Sequence, residues 1–333
     1  MSEQTASPAG PGALAITPSK PWWSVLRERG GILVAGRGVA LLILAAVILL
    51  TPGFLSGPSI LSLLTTVSFI GCVAIGMTLI TISGNIMSFC LGATAGATAM
   101  VFILAVNFGG FGFGLAAGLA FGAIVTGLQG FVIGWLRAHP IIVSIATLSL
   151  IYGVTQALAE KGTVYADHGL VPGAVKGKIF GVPLEFIVFL ISAAVAQFML
   201  MMTRFGRNIY MVGSSFRAAE AVGINTWRTV TGAYLWAGLF TALAGIMLAV
   251  RYDAANMDYG VGYDYDAIAA VLVGGTAIGG GQGSALRTLV GAIVIAAVQV
   301  MLLLHGLRQE WQYLAAGLIV LGVIVLQAGA GKR

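Results

Sequence analysis

The sequence predicts an all-α, polytopic integral membrane protein of about ten spans, on three observations. Of its 333 residues, 59% are hydrophobic and only 8% charged, with a mean hydropathy of +1.00, a balance that a water-exposed surface cannot carry. Apolar runs long enough to cross a bilayer recur along most of the chain. The basic residues gather in alternate loops, as they do when loops are retained on the cytoplasmic side. The net charge of +6 therefore reads as topology rather than nucleic-acid binding, since no basic stripe with interleaved aromatics accompanies it.

Met1 to Lys20 is rich in Pro, Gly, Ser and Ala, and residues 1–30 are expected to form a disordered cytoplasmic tail ahead of a transmembrane domain over 31–330. Lys20, Arg27 and Arg29 precede an apolar run from Gly38 to Leu55, which lacks a small-residue cleavage site and reads as an uncleaved first span. Further spans fall near 59–82, 89–107, 112–136, 141–158, 185–203, 229–250, 265–279, 285–304 and 311–328. An even count puts both termini in the cytoplasm. Arg137, Arg204, Arg207, Arg217, Arg228, Arg287, Lys332 and Arg333 then lie inside, and Lys161, Lys176, Lys178, Arg251 and Arg308 outside. Two outer loops, Ala159–Leu184 and Tyr252–Tyr263, are natural contacts for an external protein. Gly110, Gly114, Gly118 and Gly122 recur every four residues, with Gly130 and Gly134 repeating the spacing, so the fourth span offers a ridge for another helix backbone.

Phe205 to Arg228 is the one long polar, basic insert. Ser214 or Ser215 can cap a helix over Phe216–Val222, which Gly223 would end. Ala218, Ala219 and Ala221 leave a face of little bulk between Arg217 and Glu220. Either the loop docks another protein, or its arginines only fix topology.

Polar solutes cross where helices are interrupted. Two stretches are: Thr81–Ser88, where Gly84 and Asn85 break an apolar run, and Asp266–Ser284, a short helix dissolving into glycines. They lie in the two halves of the chain, a hint of a two-half repeat. Asn85, Ser88, Thr147, Ser149 and Thr276 offer neutral hydrogen-bonding groups for the path, and Asp264 and Asp266 are expected near the outer mouth. No acid falls in the middle of a predicted span, which disfavours an ion-coupled carrier. No G-x-x-x-x-G-K-[ST] occurs, and no buried Ser–His, His–Glu or paired-carboxylate arrangement supports an intramembrane enzyme. Cys72 and Cys90, inside apolar runs, and His139, His168 and His305, in separate loops, suggest neither disulfide nor metal site.

The segments GVGYDYDAIAAVLVGGTAIGGGQGS (260–284), GMTLITISGNIMS (76–88), HPIIVSIATLSLIYG (139–153) and FGRNIYMVGSSFRAAEAVGIN (205–225) resemble the permease subunit of bacterial ABC sugar importers of the ribose, xylose and galactose type. The likeness runs from about Ser59 to Leu326. It implies a homodimeric, multi-pass inner-membrane permease, not itself an enzyme and holding no cofactor. Its implied partners are a second permease copy, an ABC ATPase that carries ATP and Mg, and a periplasmic solute-binding protein delivering a monosaccharide. Arg217, Ala218, Ala219, Glu220, Ala221, Gly223 and Ile224 are similar to the family's coupling helix. The family's Gly-Ile-Asp-Leu-Ser reads here Gly84-Asn85-Ile86-Met87-Ser88, with no acid. The alternatives are an ion-coupled carrier, or an ABC permease for branched-chain amino acids or nucleosides.

Overall fold

A computed structural model describes residues 53–158, 162–167, 177–179 and 181–331. The expected tail, most of the first span, Lys161, His168, Lys176, Lys332 and Arg333 lie outside the described residues.

Helix α1 is Gly57–Ile82, with a proline in its first turn, where a missing amide costs nothing. From Val67 to Ile82 every residue is buried. A helix apolar on all sides belongs at the centre of a bundle, and α1 packs against most of the others.

Helix α2, Leu91–Leu136, holds two predicted spans. Gly110, at φ 79° and ψ 177°, breaks it in a conformation that side-chain-bearing residues avoid. The two arms fold back on each other: Gly114 lies against the Phe102 carbonyl, Gly122 against the Thr98 hydroxyl, and Phe102 meets Phe111 edge-on at 5.9 Å. The glycine ridge on the second arm presses a helix backbone as expected. That helix is α7, Thr226–Tyr252. Gly122 meets the Gly238 carbonyl, Gly130 the Tyr234 ring and Gly134 the Trp227 carbonyl, so two helices approach to backbone distance.

Between these lie α3 (Pro140–Leu158), α4 (Leu184–Met202), α5 (Arg204–Ser214) and α6 (Phe216–Ala221). After α7 come α8 (Tyr263–Val273), α9 (Ala285–Leu304) and α10 (Gln309–Gly331). Among the described residues six helices are long and apolar enough to cross a membrane, with the α2 hairpin counted as one and Gln309–Val325 a shorter apolar segment.

The predicted span 265–279 is corrected. It is an 11-residue helix, α8, about 16 Å long, followed by a non-helical return over 274–284. Tyr252–Gly262 is not simply an outer connection either. After strand β4 (Ala254–Asn256) and a 3₁₀ turn over Met257–Gly260, the chain dips between helices, and the Gly260 backbone touches Gly92. The remaining strands are β1 (Thr163–Tyr165), β2 (Lys178–Ile179) and β3 (Val182–Pro183). β1 pairs antiparallel with β4, Thr163 opposite Asn256, so the two long loops expected outside are stitched together. β2 pairs with β3.

Candidate functional site

The polar insert forms two helices, not the expected one. Thr203 caps α5, its hydroxyl accepting from the Gly206 amide at 3.0 Å. Ser215, not Ser214, caps α6 and accepts from the Ala218 amide at 3.3 Å. The end of α6 is a Schellman motif: the Gly223 amide donates to the Glu220 carbonyl at 3.0 Å and the Ile224 amide to the Ala219 carbonyl at 3.0 Å, with Gly223 left-handed at φ 80°. Ala219 is buried, and Arg217, Ala218, Ala221 and Val222 are exposed. Val222 is 71% exposed. Glu220 turns back to the body and accepts from Arg137 at 2.6 Å, and the Arg137 guanidinium lies 5.1 Å over the Phe216 ring. Arg137 ends α2 in the left-handed region. The short helix is thus presented outward on a braced platform.

Helix α5 joins that platform to both interrupted stretches. Gly213 has the Ile82 carbonyl and the Gly281 amide at its Cα, with no room for a methyl group. The Gly281 amide donates to the Ile82 carbonyl at 2.9 Å, and the Tyr210 hydroxyl donates to the Gly283 carbonyl at 2.8 Å. Above this junction Thr78 and Thr288 join α1 to α9 at 2.6 Å. The stretches Thr81–Ser88 and Asp266–Ser284 therefore meet each other and the insert at one point.

Asp264 is set back at mid-bundle, whereas Asp266 lines a cavity together with Tyr252, Asp258 and Tyr259. Asp264 caps the α2 start from another helix, accepting from the Gly92 amide at 2.8 Å. Gly245, well inside α7, packs against Ala95, which places that start at mid-bundle. Asp266 is 4% exposed, with Gln299 beside it. The reason is the dip at Tyr252–Gly262, which the loop's polarity did not reveal. The sequence argument that no acid occupies a span's middle therefore does not hold in three dimensions.

The other path residues divide. Ser88 is buried and forms a closed polar triangle: Cys90 Sγ donates to the Gln129 carbonyl oxygen at 3.0 Å, Gln129 Nε2 donates to Ser88 Oγ at 3.2 Å, and Ser88 and Cys90 are 3.3 Å apart. Asn85 donates to Ser83 at 2.9 Å. Thr147 and Ser149 bond to their own helix, at Val143 and Ile145, the local satisfaction common for hydroxyls in spans. Thr276 is buried. Of the seven path residues only Asp266 lines a cavity of about 630 Å³.

Sequence reasoning missed Arg137, Gln129, Gly213 and Gln299. A glutamine inside an apolar run, as at 129 and 299, was the available signal. Gly213 and Arg137 carried none, because what they touch is remote in sequence. Among the described residues no group of His, Cys, Asp and Glu could hold a metal ion.

Residues 59–324 match the family model described as branched-chain amino acid transport system / permease component. The chain is 29% identical to the ribose import permease protein RbsC of Haemophilus influenzae, covering 89% of this chain and 93% of that protein. It is 30% identical to RbsC of Bacillus subtilis, over 87% and 91%. It is also 30% identical to the galactose/methyl galactoside import permease protein MglC of Haemophilus influenzae, over 63% and 64%. A match across the whole helical body, interrupted stretches and braced insert together, makes this chain a member of that family of ABC transporter permease components, a multi-pass membrane protein.

Proposed function

We propose that the chain is the membrane-spanning subunit of an ATP-binding-cassette importer that brings a monosaccharide or related polyhydroxylated solute into the cytoplasm, with ATP hydrolysed on a separate subunit. One observation carries the reading. The exposed, small-faced helix α6 is linked through Gly213 of α5 to Ile82 and Gly281, the ends of both interrupted stretches. A push on α6 therefore reaches both broken elements at once. Arg217, Ala218, Ala221 and Gly223 form the docking side, with Ala219, Glu220 and Ile224 holding the helix to the body. The site lies on the cytoplasmic face, both termini are cytoplasmic, and a second permease copy and a periplasmic solute-binding protein complete the assembly. The relatives named for ribose and galactose import support a sugar as the solute.

The test is co-purification and uptake. The permease is expected to retain an ABC ATPase through detergent extraction, and proteoliposomes with ATPase and binding protein are expected to accumulate sugar only with ATP inside the coupling compartment. Uphill uptake by this chain alone, under an ion gradient, would establish the carrier alternative instead.

A further inference from the structure

The cavity of about 630 Å³ lies within the roughly 300–1,000 Å³ range of small-molecule sites. Helix α1 contributes Pro58, Leu61, Thr65 and Phe69 to it, one face of its first half. The other end of α1, Ile82, is at the Gly213 junction, so Phe69 is about 20 Å from the docking end at 1.5 Å per residue. The cavity opens away from α6, between Tyr252–Tyr263 and the start of α10.

Its chemistry is that of a hydroxyl reader. Of its charged residues Glu185 pairs with Arg251 at 3.6 Å, and Lys178 and Asp258, one of each sign, also line it. Deeper in, Asp266 is 4% exposed, and its Oδ1 has no hydrogen-bond partner among the described residues. A buried, unpaired carboxylate oxygen costs free energy that a ligand donor recovers. Gln299 stands beside it, adding an amide donor and acceptor. Tyr263 and Phe69 supply ring faces on the same wall. A planar carboxylate and amide match pairs of neighbouring hydroxyls, and the rings match the C–H face of a sugar.

We propose that this cavity is the receiving site of the permease: it takes one neutral, hydroxyl-rich solute of monosaccharide size and reads it through Asp266 and Gln299. This rests on the importer reading and adds to it a located solute site within the chain. Binding is weak, because the solute must leave again. An analogue lacking the hydroxyl that meets Asp266 is rejected, since the oxygen is then left unpaired.

The test uses the full-length permease in lipid nanodiscs, with D-ribose, D-xylose, D-galactose and L-leucine as probes in saturation-transfer NMR. At least one sugar is expected to give a signal. Asp266→Asn and Gln299→Leu are each expected to weaken it about tenfold, and Thr231→Ala, outside the cavity and bonded to its own helix at Trp227, to leave it unchanged. As a readout independent of those variants, Thr66→Cys on the cavity wall is expected to react with an impermeant maleimide over a low background, because Cys72 and Cys90 are buried, and the bound sugar to slow that reaction. No sugar signal, a signal equal in wild type and both variants, binding of L-leucine alone, or labelling that sugar does not slow overturns the receiving site. ATPase co-purification is scored on the same preparations. Its presence with a failed sugar test rejects the cavity and keeps the importer, whereas its absence rejects the importer.

Discussion

Replacing Gly213 by alanine tests whether a push on α6 would pass to the two interrupted stretches through the Gly213 backbone contact. The added methyl carbon would stand 2.6 Å from the Gly281 amide nitrogen and closer still to the Ile82 carbonyl oxygen. Both are backbone atoms, so no side chain can rotate away. Overpacking of this kind costs roughly 1–3 kcal/mol. If relief comes by opening the bond from the Gly281 amide to the Ile82 carbonyl, now 2.9 Å, a buried amide is stranded at about the same cost. At about 1.4 kcal/mol per tenfold, either route shifts the balance between two arrangements of the junction by about five- to a hundred-fold. The comparison variant is Gly223→Ala. Nothing lies within 4 Å of that position, so the only cost is the left-handed backbone, about 1 kcal/mol, and it falls on the helix end that the ATPase would grip. Two quantities separate the variants in proteoliposomes: ATPase retained on the permease, and solute delivered per ATP hydrolysed. Gly213→Ala is expected to keep the ATPase and lose delivery, and Gly223→Ala to lose the ATPase first. Wild-type delivery by Gly213→Ala would refute the argument, as would loss of the ATPase with delivery per bound ATPase unchanged.

Three further outcomes follow from the same geometry. Asp264→Ala removes the cap on the start of α2 and is expected to lower thermal stability by about 1–3 kcal/mol, with Asp264→Asn recovering part of it; a melting curve in detergent equal to wild type for both would show that the cap contributes nothing. Arg137→Ala breaks a pair whose side chains are 65% and 41% exposed, so less than about 1 kcal/mol of stability is expected to go, while limited proteolysis after Arg217 speeds up; unchanged cleavage would mean that α6 needs no brace. Gln129→Leu opens the Ser88–Cys90–Gln129 triangle and is expected to make Cys90 more accessible to maleimide, measured by mass shift; no gain in labelling would leave the triangle without a role in holding residues 85–90.

Much of this molecule is legible from residue order. The small-faced helix, expected over 216–222 and found over 216–221, is marked by Ser214 or Ser215 and by Gly223, because caps are local chemistry. The ridge of Gly110, Gly114, Gly118, Gly122, Gly130 and Gly134 announces a close helix contact, and α7 meets its last four members, while Gly110 breaks the helix and Gly114 faces the first arm. The two interrupted stretches are visible as breaks in apolar runs. The depth of Asp264, at the Gly92 amide, is not legible, because a polar loop that dives between helices has the same composition as one that stays outside. Thr147 and Ser149 looked available to a solute, and their own carbonyls had already taken them. A one-dimensional reading cannot see that competition.

Composition, hydropathy and capping residues by themselves determine that the chain is a membrane bundle with one polar, helix-forming insert, since partition into lipid and the ending of a helix depend on a residue and its near neighbours. Only the tertiary structure decides that Gly213, Ile82 and Gly281 share one point, that Arg137 braces Glu220, and that Asp266 and Gln299 share a cavity. Those pairings join residues from about 30 to about 200 positions apart, and packing, which no local rule encodes, brings them together.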